Sequence, residues 1–144
     1  MRDNGLNNSN NDKSKIFFVP SSLNAIVVIF NVQYYDMLAA LDLSIFPSYY
    51  EPWGYTPLES LAFKVPTVTT TLAGFGLWVK THYEGARPGI SVIERTDNND
   101  TVVVEKIAAR IIKQTKMLES EYLQSKENAY EVSRIALWDS LIEY

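Results

Sequence analysis

Glu51 and Glu59 are carboxylates eight residues apart in the run Ser48-Tyr49-Tyr50-Glu51-Pro52-Trp53-Gly54-Tyr55-Thr56-Pro57-Leu58-Glu59. An ionised carboxylate only accepts hydrogen bonds, and hydroxyl-rich ligands such as sugars supply the matching donors. Between the two glutamates Gly54 lets the backbone approach a ligand closely. Trp53, with Tyr49, Tyr50 and Tyr55, offers flat faces on which a sugar ring can lie.

The elements on either side give this run its place. Leu43-Ser44-Ile45-Phe46 ahead of Pro47 has the pattern of a buried parallel strand at its C-terminal edge. After it, Thr56 suits an N-cap, Pro57 the first helical position and Glu59 the third, a capping box that predicts a helix from Pro57 to about Phe63. Strand, loop and helix start in that order leave unpaired amides and the positive end of a helix dipole in the crevice beyond the strand ends, which suits a phosphate or diphosphate. A carboxylate beside a diphosphate is repelled by it, so each glutamate is expected to point at neutral hydroxyls, of a sugar and of a ribose.

On these residues the chain resembles a known family. The Glu51 to Glu59 spacing is that of the E-x7-E motif of retaining glycosyltransferases, and Phe46 to Pro57 closely resembles the glycogen synthases of glycosyltransferase family 3. The likeness continues through Pro66-Thr67-Val68-Thr69-Thr70 and Gly74-Phe75-Gly76. It implies the latter part of the second Rossmann-like domain of a GT-B fold. It also implies transfer of glucose, with retained anomeric configuration, from UDP-glucose or ADP-glucose to the non-reducing end of an α-1,4-glucan, with no cofactor or metal required.

Carried over residue by residue, the resemblance makes Glu51 the carboxylate that holds the donor glucose near the developing oxocarbenium ion. The alternative is a solvated loop carboxylate. Glu59 would bind ribose hydroxyls, or serve the capping box, or both. Tyr55 and Thr56 would present amides to the distal phosphate, unless the Thr56 side chain simply caps. Trp53 and Gly54 would contact the sugar through their backbone, with core packing the other reading of Trp53. Tyr34 occupies the place of an aromatic stacked on the base, or else packs in a core. The family's phosphate-binding Arg and Lys pair and its acceptor-side domain have no counterpart in this sequence, and the arginine cluster with which eukaryotic members sense a sugar phosphate is also missing. The chain alone is therefore expected to be inactive, with the missing N-terminal domain as a partner.

Two other readings share the same residues: a carbohydrate or nucleotide binding module without catalysis, and a related retaining transferase with a different acceptor. The aromatic run around Glu51 favours the glucan over those acceptors.

Composition narrows the field. The 144 residues are 47% hydrophobic and 21% charged, enough for one core. There is no cysteine and a single histidine, His82, which excludes disulfides, thiolate metal sites and Cys–His pairs, and a hydrolytic triad is not expected. A net charge of −4 without a basic stripe argues against nucleic acid. No apolar run approaches the roughly 20 residues of a membrane span, so a soluble, cytoplasmic protein is expected.

In chain order, residues 1–15 read as a polar, loosely ordered lead-in and 16–144 as the Rossmann-like domain. Ile16 to Val19 predicts a first strand, and Ala25 to Phe30 is either a strand or a packed loop. A short helix is expected from Tyr34 to Leu41, a strand within Lys64 to Thr71, and a flexible turn around Gly74 and Gly76 before another short helix. Thr81 to Pro88 reads as a loop and Gly89 to Ile93 as a strand. Asp100 is expected to cap a helix whose stripe Val104, Ile107, Ala108, Ile111 and Ile112 covers the sheet, with Lys106, Arg110 and Lys113 outside. Tyr130, Ile135, Leu137, Trp138 and Leu141 suggest one or two C-terminal helices ending against the core. The fold class is α/β, a parallel sheet with flanking helices.

Overall fold

The computed structural model describes residues 8–11, 13–17, 26–27, 32–82 and 88–137. The chain divides into two compact units, Met1–Tyr34 and Tyr35–Tyr144. In the first, β1 (Ile26–Val27) pairs antiparallel with β2 (Val32–Gln33), Ile26 opposite Gln33. The Asn8 side chain brackets Ile16, accepting from its amide at 2.8 Å and donating to its carbonyl at 2.6 Å. Ile16 and Phe17 are not in a strand; the remainder of that expected strand, Phe18 and Val19, lies outside the described residues, as do most of Ala25 to Phe30 and residues 83–87 of the expected loop.

Helix α1 (Tyr34–Ala39) leads into the second unit. There β3 (Ser44–Ile45), β4 (Thr67–Thr70) and β5 (Ile90–Ile93) form a parallel sheet in the order β3-β4-β5, with Ser44 opposite Thr67 and Thr67 opposite Ile90. Helices α2 (Tyr55–Ala62), α3 (Gly74–His82), α4 (Asp100–Thr115) and α5 (Glu119–Ile135) complete an α/β fold consistent with a Rossmann-like domain. The period of two along β5 sorts its side chains. Ile90 and Val92 face a core of Leu58, Leu61, Phe75, Val79, Ala129, Val132 and Ala136 from α2, α3 and α5; Ile93 joins Val68 and Val103 under α4.

Strand β4 is wholly buried although three of its four residues are threonine. Burying a hydroxyl without a partner is costly. Thr67 Oγ1 donates to Val65 O at 2.9 Å and meets Ser44 Oγ at 3.0 Å, while Thr70 Oγ1 donates to Ser48 O at 2.8 Å. These bonds also tie the sheet edge to the segment that follows β3.

Helix α2 begins at Tyr55, not Pro57, with Gly54 as N-cap at φ 109° and no side-chain cap, so Thr56 and Glu59 do not form a capping box. The left-handed turn at Gly54, open to a residue without Cβ, swings the chain into the helix early. Gly74 and Gly76 lie within α3, not in a flexible turn. A Cβ on Gly74 would stand 2.2 Å from Pro52 O, so glycine is needed for the helix to approach the loop.

The N-cap of α4 is Asn99 and Asp100 is its first helical residue. The Asn99 side chain is occupied in closing its own turn, accepting from Thr96 N at 2.8 Å and donating to Glu94 O at 2.9 Å. The expected stripe of α4 also faces the wrong way: Val103 is buried and Ile107 packed, but Val104, Ala108, Ile111 and Ile112 are exposed. Arg110, expected outside, donates from Nε to Ser91 Oγ at 3.2 Å, and Gln114 donates to Asp42 O at 3.0 Å. Long polar side chains tied to the sheet edge by their heads cover apolar surface with their stems, and these ties set the helix rotation. In α5 the packed face is Ser125, Ala129, Val132 and Ser133 with Ala136 beyond, small residues that allow close approach, while Tyr130, Ile135 and Leu137 are exposed. Trp138 and Leu141 lie outside the described residues.

Candidate functional site

The segment between β3 and α2 runs along the C-terminal edge of the sheet, held at nearly every residue. Phe46 N donates to Val68 O at 2.9 Å, and Glu51 forms an isolated parallel bridge to Ala73, donating to Leu72 O at 3.1 Å. Glu51 O accepts from Gly74 N at 3.0 Å and Trp53 O from Phe75 N at 2.6 Å. The first two amides of α3 are therefore used up by the loop. At α2 the reverse holds: among the described residues no protein group accepts from the amides of Tyr55 or Thr56. A helix N-terminus with open donors carries partial positive charge and suits an anion.

The two glutamates flank that start in the sequence. Glu51 is half-buried, and its Cγ lies 3.4 Å from where a Cβ on Gly54 would be, so its stem rests against the N-cap of α2. Glu59, one turn into α2, lines a hollow of about 460 Å³ with Trp53, Tyr55, Leu58, Ala62, Ala136 and Leu137. Tyr55, Leu58, Glu59 and Ala62 recur at helical spacing and so present one face. Glu51 is not among the residues described around that hollow.

The aromatic residues divide. Trp53 is half-buried and packs on the core, edge to face with Phe75 at 5.8 Å and tilted against Trp78 at 6.2 Å, while also walling the hollow. Tyr50 and Tyr55 are exposed, at 80% and 59%. Thr56 is exposed in the first turn of α2 and makes no cap. Tyr34 is the last residue of the first unit and opens α1. Among the described residues no group of three His, Asp or Glu could hold a metal ion, and no helix is long and apolar enough to cross a membrane.

Sequence reasoning missed Arg95. It follows β5 by two residues and is 7% exposed. Nη1 donates to Pro47 O at 2.6 Å, Nη2 pairs with Asp100 Oδ1 at 2.8 Å, and the guanidinium lies 3.4 Å over the Tyr49 ring. Tyr49 in turn donates its hydroxyl to both oxygens of Asp100 at 3.0 Å. The Tyr49 hydrogen bond, and after it the one from Arg95, lowers the Asp100 pKa below its ordinary value. The available signal was position: a cation just past a strand's C-terminal end faces the crevice where such sheets bind ligands.

An open helix start at a sheet edge occurs in many α/β proteins and does not identify one. The profile of glycogen synthases matches residues 1–144. The chain is 37% identical over 109 residues to a glycogen [starch] synthase of Caenorhabditis elegans, covering 75% of this chain and 16% of that protein. It is 31% identical over 143 residues to isoform 2 of the Saccharomyces cerevisiae enzyme, covering 96% of this chain and 20% of the relative. To the liver enzyme of Mus musculus it is 38% identical over 92 residues, 63% of this chain and 13% of the relative. The chain thus spans between 13% and 20% of the length of these relatives. A match over every residue, on a parallel sheet whose edge carries the loop and helix start described above, means that this chain belongs to the glycogen synthase family.

Proposed function

We propose that this chain is the donor-binding part of a retaining, cytoplasmic glycogen synthase, which transfers glucose from UDP-glucose or ADP-glucose to the non-reducing end of an α-1,4-glucan. The observation that carries the reading is the pair of amides at Tyr55 and Thr56 that have no acceptor among the described residues, with Glu51 against the helix cap and Glu59 one turn into the helix.

The diphosphate lies at the start of α2, where amides and dipole offset the negative charge that grows on the leaving group. Glu51 accepts hydrogen bonds from glucose hydroxyls and stabilises the ring as it takes on oxocarbenium character. Glu59 accepts from ribose hydroxyls. Trp53 and Gly54 approach the sugar through their backbone. The rest of a longer polypeptide supplies the acceptor side and the basic side chains for the phosphates, so the isolated chain binds donor without transferring it.

The test has two parts. Titration with UDP-glucose and ADP-glucose, read by tryptophan fluorescence, should give saturable binding of one or both; binding of neither overturns the donor reading. Incubation with labelled donor and glycogen should give no product, and robust turnover would overturn the incompleteness of the site.

A further inference from the structure

Arg95 touches three strand ends at once. Its own backbone follows β5, and its amide donates to Thr71 Oγ1 at 3.0 Å, in the turn after β4. Its side chain reaches the segment after β3 through Pro47 O and the Tyr49 ring, and the first turn of α4 through Asp100. A buried guanidinium forfeits hydration and must recover it from partners. Here it gains one carboxylate, one carbonyl and a ring face, while its Nε has no partner among the described residues. The two apolar cores include none of Arg95, Tyr49 and Asp100.

A buried charge arranged this way is a poor means of stabilising a fold, and an apolar replacement often does as well. Its geometric effect is specific. Pro47 and Tyr49 are gripped from the β5 side, Ser48 O is held by Thr70 and Glu51 is bridged to Ala73. The backbone ahead of Glu51 is thereby held from the ends of both β4 and β5.

We propose that Arg95, Asp100 and Tyr49 form a clamp that positions the Pro47 to Glu51 segment, so that Glu51 meets the sugar of the donor. Arg95 and its partners are positioning residues and touch no reacting atom. The inference rests on the donor-binding reading above.

Asp100 and Tyr49 keep exposures of 57% (side chain) and 60%, so conservative changes there leave the fold intact. The test compares wild type with Tyr49→Phe, Asp100→Asn, the double variant and Arg95→Lys. Each is titrated with UDP-glucose, with ADP-glucose and with UDP and ADP, alongside a denaturant unfolding curve. Tyr49→Phe and Asp100→Asn should each weaken the sugar nucleotide about tenfold, with the double variant no weaker than either single. Affinity for the bare nucleotide should stay unchanged, because the clamp acts on Glu51 and not on the phosphate cradle, while the unfolding midpoint falls only by what the tie to Asp100 contributes. Arg95→Lys, which keeps charge but loses the planar fork, should show the same selective loss of the sugar nucleotide, with a lower unfolding midpoint because the site is buried.

Equal loss of nucleotide and sugar nucleotide with a lowered midpoint would make the cluster merely structural and overturn the clamp. So would unchanged sugar-nucleotide binding in every variant. Failure of the wild type to bind any of the ligands would overturn the donor reading, and the clamp with it.

Discussion

At the scale of single residues, the two glutamates differ in surroundings and so should differ in phenotype. Glu51→Gln keeps the shape but removes the charge that a hydroxyl donor meets, and a hydrogen bond to a charged group is worth about 1.5–3 kcal/mol. It should weaken UDP-glucose or ADP-glucose about 10- to 100-fold and leave the bare nucleotide unaffected. Glu59→Gln should weaken nucleotide and sugar nucleotide alike, since the partner proposed for it is the ribose. Calorimetric titration of both ligands against both variants separates these outcomes. Asp100 offers a second check. Its pKa in the folded chain lies below the ordinary 3.8, chiefly through the Tyr49 hydroxyl and then Arg95. Whatever its tie contributes is present at neutral pH and is lost only as pH falls through that depressed value. A carboxyl NMR titration should place Asp100 below 3.8 in the wild type and return it upward in Tyr49→Phe.

At the scale of elements, the rotation of α4 and the approach of α3 make firm expectations. Val103 is 2% exposed and Val104 is 64% exposed, though they are adjacent. Val103→Ala should therefore cost about 2 kcal/mol and Val104→Ala less than about 0.5 kcal/mol, read from denaturant midpoints. The reverse order would mean that the helix presents its other stripe to the sheet. Gly74→Ala forces a methyl against Pro52 O and should destabilise by about 1–3 kcal/mol, measured in the same way. Local patterning alone could not see either point. The α4 sequence carries two apolar faces, and the choice between them fell to polar heads, Arg110 on Ser91 and Gln114 on Asp42, whose partners are distant in the chain. The start of α2 was misjudged by two residues because Thr56 and Glu59 have the right types for a cap, while the left-handed backbone of Gly54 had already turned the chain.

At the scale of the whole molecule, a chain spanning 13% to 20% of the relatives compared should bind donor and transfer nothing, which the assay with labelled donor and glycogen checks. What the sequence by itself determined was the alternation of strands and helices, the α/β class and the family, because buried runs, turn residues and the Phe46 to Pro57 stretch are local and contiguous. The existence of β3, α2, β4, α3, β5, α4 and α5 followed from the same local signals. Only the tertiary structure decided which face of α4 is buried, that the first two amides of α3 are consumed by the loop while those of Tyr55 and Thr56 have no acceptor among the described residues, and that Arg95 reaches Pro47 and Tyr49. The physical reason is common to all three: each depends on a partner brought near by the stacking of parallel strands, and a strand's own residues do not encode which distant groups will stand at its end.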